Sequence, residues 1–139
     1  SQWATARDTL LRTLAMAQSH VHQLERVELL NDLGVVCLRL GDKPAARSAW
    51  TTAATEAPDH VGVQLNLTVL EAEAGNLPVA LKHVDDVLRL EPDHPLGLLF
   101  LARLERQLGR REEALATWQR LVLVHPAYAD SVVRNFGPF

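Results

Sequence analysis

LRLGDKPAARSAW, residues 38–50, decides the fold. An apolar run at helical spacing halts at Gly41 and restarts at once, with Ala46 and Trp50 four apart on one stripe of a second helix. Glycine is the residue that most readily takes the left-handed conformation in which helices end. Pro44 stands where a helix begins, a place where its missing N–H costs nothing. The stretch therefore reads as the elbow of a hairpin made of two antiparallel helices.

The elbow recurs. Displacing the sequence by 34 residues aligns Gly41 with Gly75 and Gly109, and Pro58 with Pro92 and Pro126. Leu33, Leu67 and Leu101 fall in one column, Ala46, Ala80 and Ala114 in another, and Trp50, Val84 and Trp118 in a third. PDH appears at 58–60 and again at 92–94. A fixed period of this size is the mark of a repeat architecture. Small alanines let neighbouring helices approach, and the bulky Trp50 column fills the space beside them. Helices of about 13 to 16 residues are marginal alone in water, so stability must come from stacking one hairpin on the next.

The totals agree with a folded helical protein. The 139 residues are 47% hydrophobic, 22% charged and only 5% aromatic, which is not the composition of a disordered chain. A net charge of −3 argues against nucleic-acid binding, which needs a basic surplus. The single cysteine, Cys37, excludes an internal disulfide framework and fits a reducing compartment. No apolar run reaches membrane-spanning length, so membrane insertion is not expected. Arg7, Asp8 and Arg12 interrupt the opening stretch, unlike the apolar core of a signal peptide. A cytoplasmic location is the default expectation, with a missing targeting segment or further domain left open. The Ala-, Leu- and Arg-rich composition has a bacterial look.

A helical hairpin of 34 residues with Leu33-Gly34, Gly41, Ala46, Trp50, Ala53 and Pro58 at these places resembles the tetratricopeptide repeat (TPR) family. Residues 27–60, 61–94 and 95–128 carry the pattern. Thr68 and Ala102 depart from its small glycine, and Cys37, Glu71 and Glu105 stand where an aromatic is usual. The resemblance implies an all-α, right-handed superhelical solenoid of three hairpins forming a single domain over 1–139. Residues 1–26 are expected to form an N-terminal helical cap, with Trp3, Ala6, Leu10, Leu14 and Ala17 on one stripe covering the first repeat. The segment 21–40 reads as a long first helix. Residues 129–139 are expected to cap the other end, ADSVVRNF as a short helix on Leu121 and Val122, with Phe136 and Phe139 either closing it or marking the edge of a longer protein.

Chemistry finds little footing. His20 and His22 lie two apart, unsuited to one helix face. His60 and His94 lie one repeat apart and belong to turn chemistry. No three ligands stand at a recognisable metal spacing. Cys37 sits at a core position as an inert thiol. The glycines are isolated helix stops rather than a phosphate loop, and Asp85-Asp86 and Glu112-Glu113 read as solvated charge. No catalytic residue, metal or cofactor is expected.

The inner surface is the better candidate. The resemblance implies a groove lined by the first helix of each repeat: Asn31, Asp32, Val35 and Arg39, then Leu65, Asn66, Val69 and Glu73, then Leu96, Leu99, Phe100, Arg103 and Gln107. Leu65, Leu99 and Phe100 are equally readable as packing between hairpins, because helical periodicity does not separate a groove wall from a core wall. Members that hold the C-terminal carboxylate of chaperones use a clamp of two Lys, two Asn and a further basic residue. Only Asn66 matches it here, so that ligand is not expected. An acidic middle repeat is followed by Arg103, Arg106, Arg110 and Arg111, a charge axis readable as a solvated surface, as ligand steering or as head-to-tail contact between copies. The leading expectation is a non-catalytic scaffold binding a protein or peptide. The alternatives are the TPR region of a larger enzyme or secretion component, and a self-assembling module.

Overall fold

The computed structural model describes residues 1–17 and 23–139. Among them are eight α-helices packed as sequential hairpins and no strand. They are α1 (Gln2–Ala17), α2 (Gln23–Arg39), α3 (Lys43–Glu56), α4 (Val61–Glu73), α5 (Leu77–Leu90), α6 (Pro95–Gln107), α7 (Arg111–Val124) and α8 (Pro126–Phe136). The chain divides into two compact units, residues 1–70 and 71–139.

The three elbows are built alike. Gly41, Gly75 and Gly109 have φ of 80°, 80° and 77°, the left-handed conformation that closes a helix. Each glycine N–H bonds the carbonyl three residues back, to Leu38, Ala72 and Arg106. The next residue bonds five back, Asp42 to Cys37, Asn76 to Glu71 and Arg110 to Glu105. This pair of bonds satisfies carbonyls that a helix end leaves open. Asp42 then begins the next helix, its carboxylate accepting from the Ala45 N–H at 3.0 Å, with Pro44 in the first turn.

Unit 1 has a core of Leu14 from α1, Val27, Leu30, Leu33 and Cys37 from α2, Ala46, Ala49, Trp50 and Ala53 from α3, and Val63, Leu67 and Leu70 from α4. Trp50 is 1% exposed, its indole N–H donating to the Asn31 carbonyl at 3.1 Å. Arg26 closes the base of the α2–α3 hairpin on Glu56 at 2.8 Å. On α1 the packing is uneven. Leu10 and Leu14 meet the core, but Trp3 stays 45% exposed, so the expected stripe covers its neighbour only in part.

Unit 2 has two clusters. Ala80 and Val84 of α5 meet Leu104 of α6. Leu98 and Leu99 of α6 meet Leu121 of α7 and Ala129 and Val132 of α8. The last helix begins at Pro126, earlier than the sequence predicts, since proline is at home in a first turn. It packs toward Leu121, while Val122 remains 42% exposed. Phe139 stacks on Trp118, whereas Phe136 is 73% exposed and does not close the end. No described helix is long and apolar enough to cross a membrane.

Candidate functional site

In unit 1 the predicted lining residues share one side of α2. Asn31, Asp32, Val35 and Arg39 lie at helical spacing along it, and Asn66 of α4 donates its side-chain N–H to the Asn31 side-chain oxygen at 2.9 Å. Val69 is half-buried, and Leu65 is buried at 9% exposure. Asp32 and Val35 also face α1. They line an open cleft of about 630 Å³ with Gln2, Trp3, Thr5, Ala6, Thr9, Leu10 and Val36. The Arg39 guanidinium lies 5.7 Å from the Trp3 ring centroid, within cation–π range. Asp32 also borders a second cleft of about 420 Å³ with Thr13, Leu24, Glu25, Glu28 and Leu29. The structure thus adds Trp3 to the candidate surface. Its place on the apolar stripe of α1 made it read as a capping side chain, and nothing local in the sequence marks it as left open.

In unit 2 the six remaining residues separate by burial. Leu99 is 3% exposed and belongs to the α6–α7–α8 cluster. Phe100 is half-buried against the α5–α6 cluster. Leu96, Glu73 and Gln107 are exposed, and Arg103 is half-buried. The Arg103 guanidinium lies 5.4 Å from the Phe136 ring centroid. In unit 2 the predicted residues left open to solvent are thus Glu73, Leu96 and Gln107, while Leu99 is packed inside.

His60 and His94 serve as helix caps. His94 accepts the Gly97 N–H on Nδ1 at 3.2 Å, and His60 accepts the Val63 N–H on Nδ1 at 3.1 Å. With Nδ1 accepting, the His60 proton sits on Nε2 and is donated to Glu28 at 2.6 Å. His125 turns its Nε2 to the Asp93 carbonyl. Among the described residues no three His, Cys, Asp or Glu side chains are grouped to hold a metal; His20 and His22 lie outside those residues. Burial and the nearby Asp42 carboxylate push the Cys37 thiol above its ordinary pKa, the opposite of what activates a nucleophile. Burial likewise raises the Tyr128 hydroxyl.

Comparison with known proteins places this geometry. Two family models described as tetratricopeptide repeat match residues 1–61 and 71–134. No curated protein matches the sequence. Among solved structures, YrrB, described as a TPR protein with an unusual peptide-binding site, superposes with a TM-score of 0.76 at 18% identity over 96% of this chain. A tetratricopeptide repeat protein from Parabacteroides merdae gives 0.84 at 21% identity over 91%. The chain spans 66% of the first and 49% of the second, under two thirds of each. The first TPR of Spaghetti (RPAP3), bound to the HSP90 peptide SRMEEVD, gives 0.70 at 16% identity, over 80% of this chain and 92% of that one. At these identities the likeness is one of fold. With three elbows of one construction and both matches naming the same repeat, the chain belongs to the tetratricopeptide repeat family.

Proposed function

We propose that this chain is a non-catalytic protein–protein interaction module that holds a peptide or protein segment on the first helices of its hairpins. Tetratricopeptide repeats are in general such modules, and both matched stretches, 1–61 and 71–134, are matched by models of this repeat. The proposed repeats are 27–60, 61–94 and 95–128, within one domain.

The observation that carries the reading is the α1–α2 cleft. Two residues assigned to ligand contact from sequence, Asp32 and Val35, line an open space with an exposed Trp3. A mainly apolar concavity with a few placed polar groups is the usual form of a binding site, and a half-exposed tryptophan is a common interface anchor. In unit 2 the proposed contacts are Leu96, Phe100, Arg103 and Gln107, with Glu73 at the end of α4. Leu65 and Leu99 contribute by holding those side chains in place.

A chaperone tail is not the proposed ligand. The clamp's basic places are filled by Asn31, Leu96 and Phe100, and Asn66 already spends a donor on Asn31.

The test compares partner recovery by wild type with Val35→Glu and Trp3→Ala, each checked for unchanged helicity by circular dichroism. Both side chains are substantially exposed, so neither change should unfold the chain, although Trp3→Ala gives up the Arg39 stacking and about 0.5–1 kcal/mol with it. Loss of a partner at least tenfold in affinity is expected. Equal recovery by all three proteins would place binding elsewhere.

A further inference from the structure

Beyond α8 the chain is turned by Gly137, at φ 85° and ψ 176°, a conformation open essentially to glycine alone. The turn lays Phe139 on unit 2. Its ring stacks on Trp118 with centroids 4.7 Å apart and planes 4° from parallel. The Arg106 guanidinium lies 4.8 Å from the Phe139 centroid, and that of Arg103 lies 5.4 Å from the Phe136 centroid. Trp118 and Arg106 thus seat the Phe139 ring, while Phe136, 73% exposed, meets Arg103 at the margin of that seat.

The occupant leaves this surface half satisfied. Among the described residues neither Arg103 nor Arg106 forms a salt bridge. A guanidinium can stack through its face while its in-plane N–H groups bind a carboxylate. Residues 131–139 carry no carboxylate side chain, and Arg134 brings a like charge instead. A segment that sets a carboxylate beside its aromatic side chain would supply both contacts.

We infer that the face of α6 and α7 bearing Arg103, Arg106 and Trp118 is a binding site for an acidic, aromatic partner segment, held in this structure by the chain's own Phe139, with the exposed Phe136 at its margin. That the partner is a protein segment rests on the proposed function above; the self-occupied aromatic seat does not. Entry of the partner displaces the 136–139 segment. A tethered segment of this kind competes at an effective concentration of about millimolar. If its own affinity in trans is about 0.1 mM, it weakens an incoming ligand roughly tenfold.

The experiment uses the full chain and two blocked hexapeptides, acetyl-ENFGPF-amide and acetyl-RNFGPF-amide, titrated by calorimetry. The double variant Phe136→Ala/Phe139→Ala should bind the glutamate peptide about tenfold more tightly than wild type does, and more tightly than it binds the arginine peptide. Arg103→Gln together with Arg106→Gln in that background should abolish the preference for glutamate. Gly137→Val keeps both rings but strains the turn, and should give the same gain in peptide binding even if the double variant folds poorly. Equal binding by wild type and variants, or none by any, overturns the inference. So does a wild-type dimer that Phe139→Ala dissolves, since the segment would then seat in a second copy. Those failures leave the Val35 and Trp3 test of the proposed function standing, and failure of that test leaves this titration interpretable.

Discussion

A methyl group on residue 34 would lie 2.3 Å from the Trp50 indole nitrogen and 2.4 Å from the adjoining ring carbon. Glycine at this column is therefore a packing requirement, since the Trp50 ring rests directly on the α2 backbone. The third repeat has Ala102 in the same column, and there the tryptophan is only half-buried, stacked on Phe139. The Trp50 column was legible from sequence as a space-filler beside the alanines. Its contact with Gly34 and the lesser burial of Trp118 were not, because periodicity gives a residue's face and not its depth. We predict that Gly34→Ala costs about 1–3 kcal/mol through overpacking. Trp50→Ala costs about 3–5 kcal/mol. In a Trp50→Leu background the Gly34→Ala penalty should shrink by about 1 kcal/mol or more, since the ring it strikes is gone. Urea unfolding followed by circular dichroism reads all the terms. Strict additivity would mean that the helices separate to admit the methyl.

At the scale of the helix, the elbows were readable because each end has its own chemistry: glycine to stop, proline or aspartate to start. The caps at His60 and His94 were placed in the turn by sequence, but their role was hidden, since histidine is not among the favoured capping residues. The candidate lining was less legible. Leu65, Leu99 and Phe100 satisfy the same periodicity as Val35 and Leu96, and only packing shows that Leu65 and Leu99 turn inward. The acidic pair on α5 also departs from simple solvated charge. Asp86 is ion-paired with Arg89 at 2.8 Å and Lys82 at 3.6 Å, while burial and the neighbouring Asp86 raise the Asp85 carboxyl. One turn earlier, burial first and Lys82 second lower the His83 pKa, against the smaller opposing pull of Asp86 and Glu71. The folded chain resists a proton that the unfolded chain accepts near pH 6.5. His83 therefore costs no stability above that value, and stability is lost as pH falls through it toward the lowered folded pKa. Thermal melts at pH 7.5 and 5 should show a smaller drop for His83→Gln than for wild type; parallel drops would assign the pH dependence to other groups.

For the molecule as a whole, the 34-residue period announced three hairpins, yet the two compact units part inside α4 rather than at a repeat boundary. A period in sequence records which residues share a role. It does not record where contacts are fewest, because each hairpin in a repeat array leans on both neighbours. Such arrays open locally, with a free energy set by each part's own packing and its neighbour terms. Trp50 and Leu121 are fully buried in separate cores, one in each unit. Emptying the Trp50 site removes about 3–5 kcal/mol, or roughly a hundredfold or more in local opening. Hydrogen exchange in Trp50→Ala should therefore accelerate by that order across α2 and α3 and far less across α6 and α7. Leu121→Ala, at about 2–5 kcal/mol, should reverse the pattern, sparing α2 and α3. Uniform acceleration along the chain in both variants would mean that it opens in one all-or-none step. The solenoid account of its stability, in which each hairpin contributes its own share, would then fail for a chain of this length.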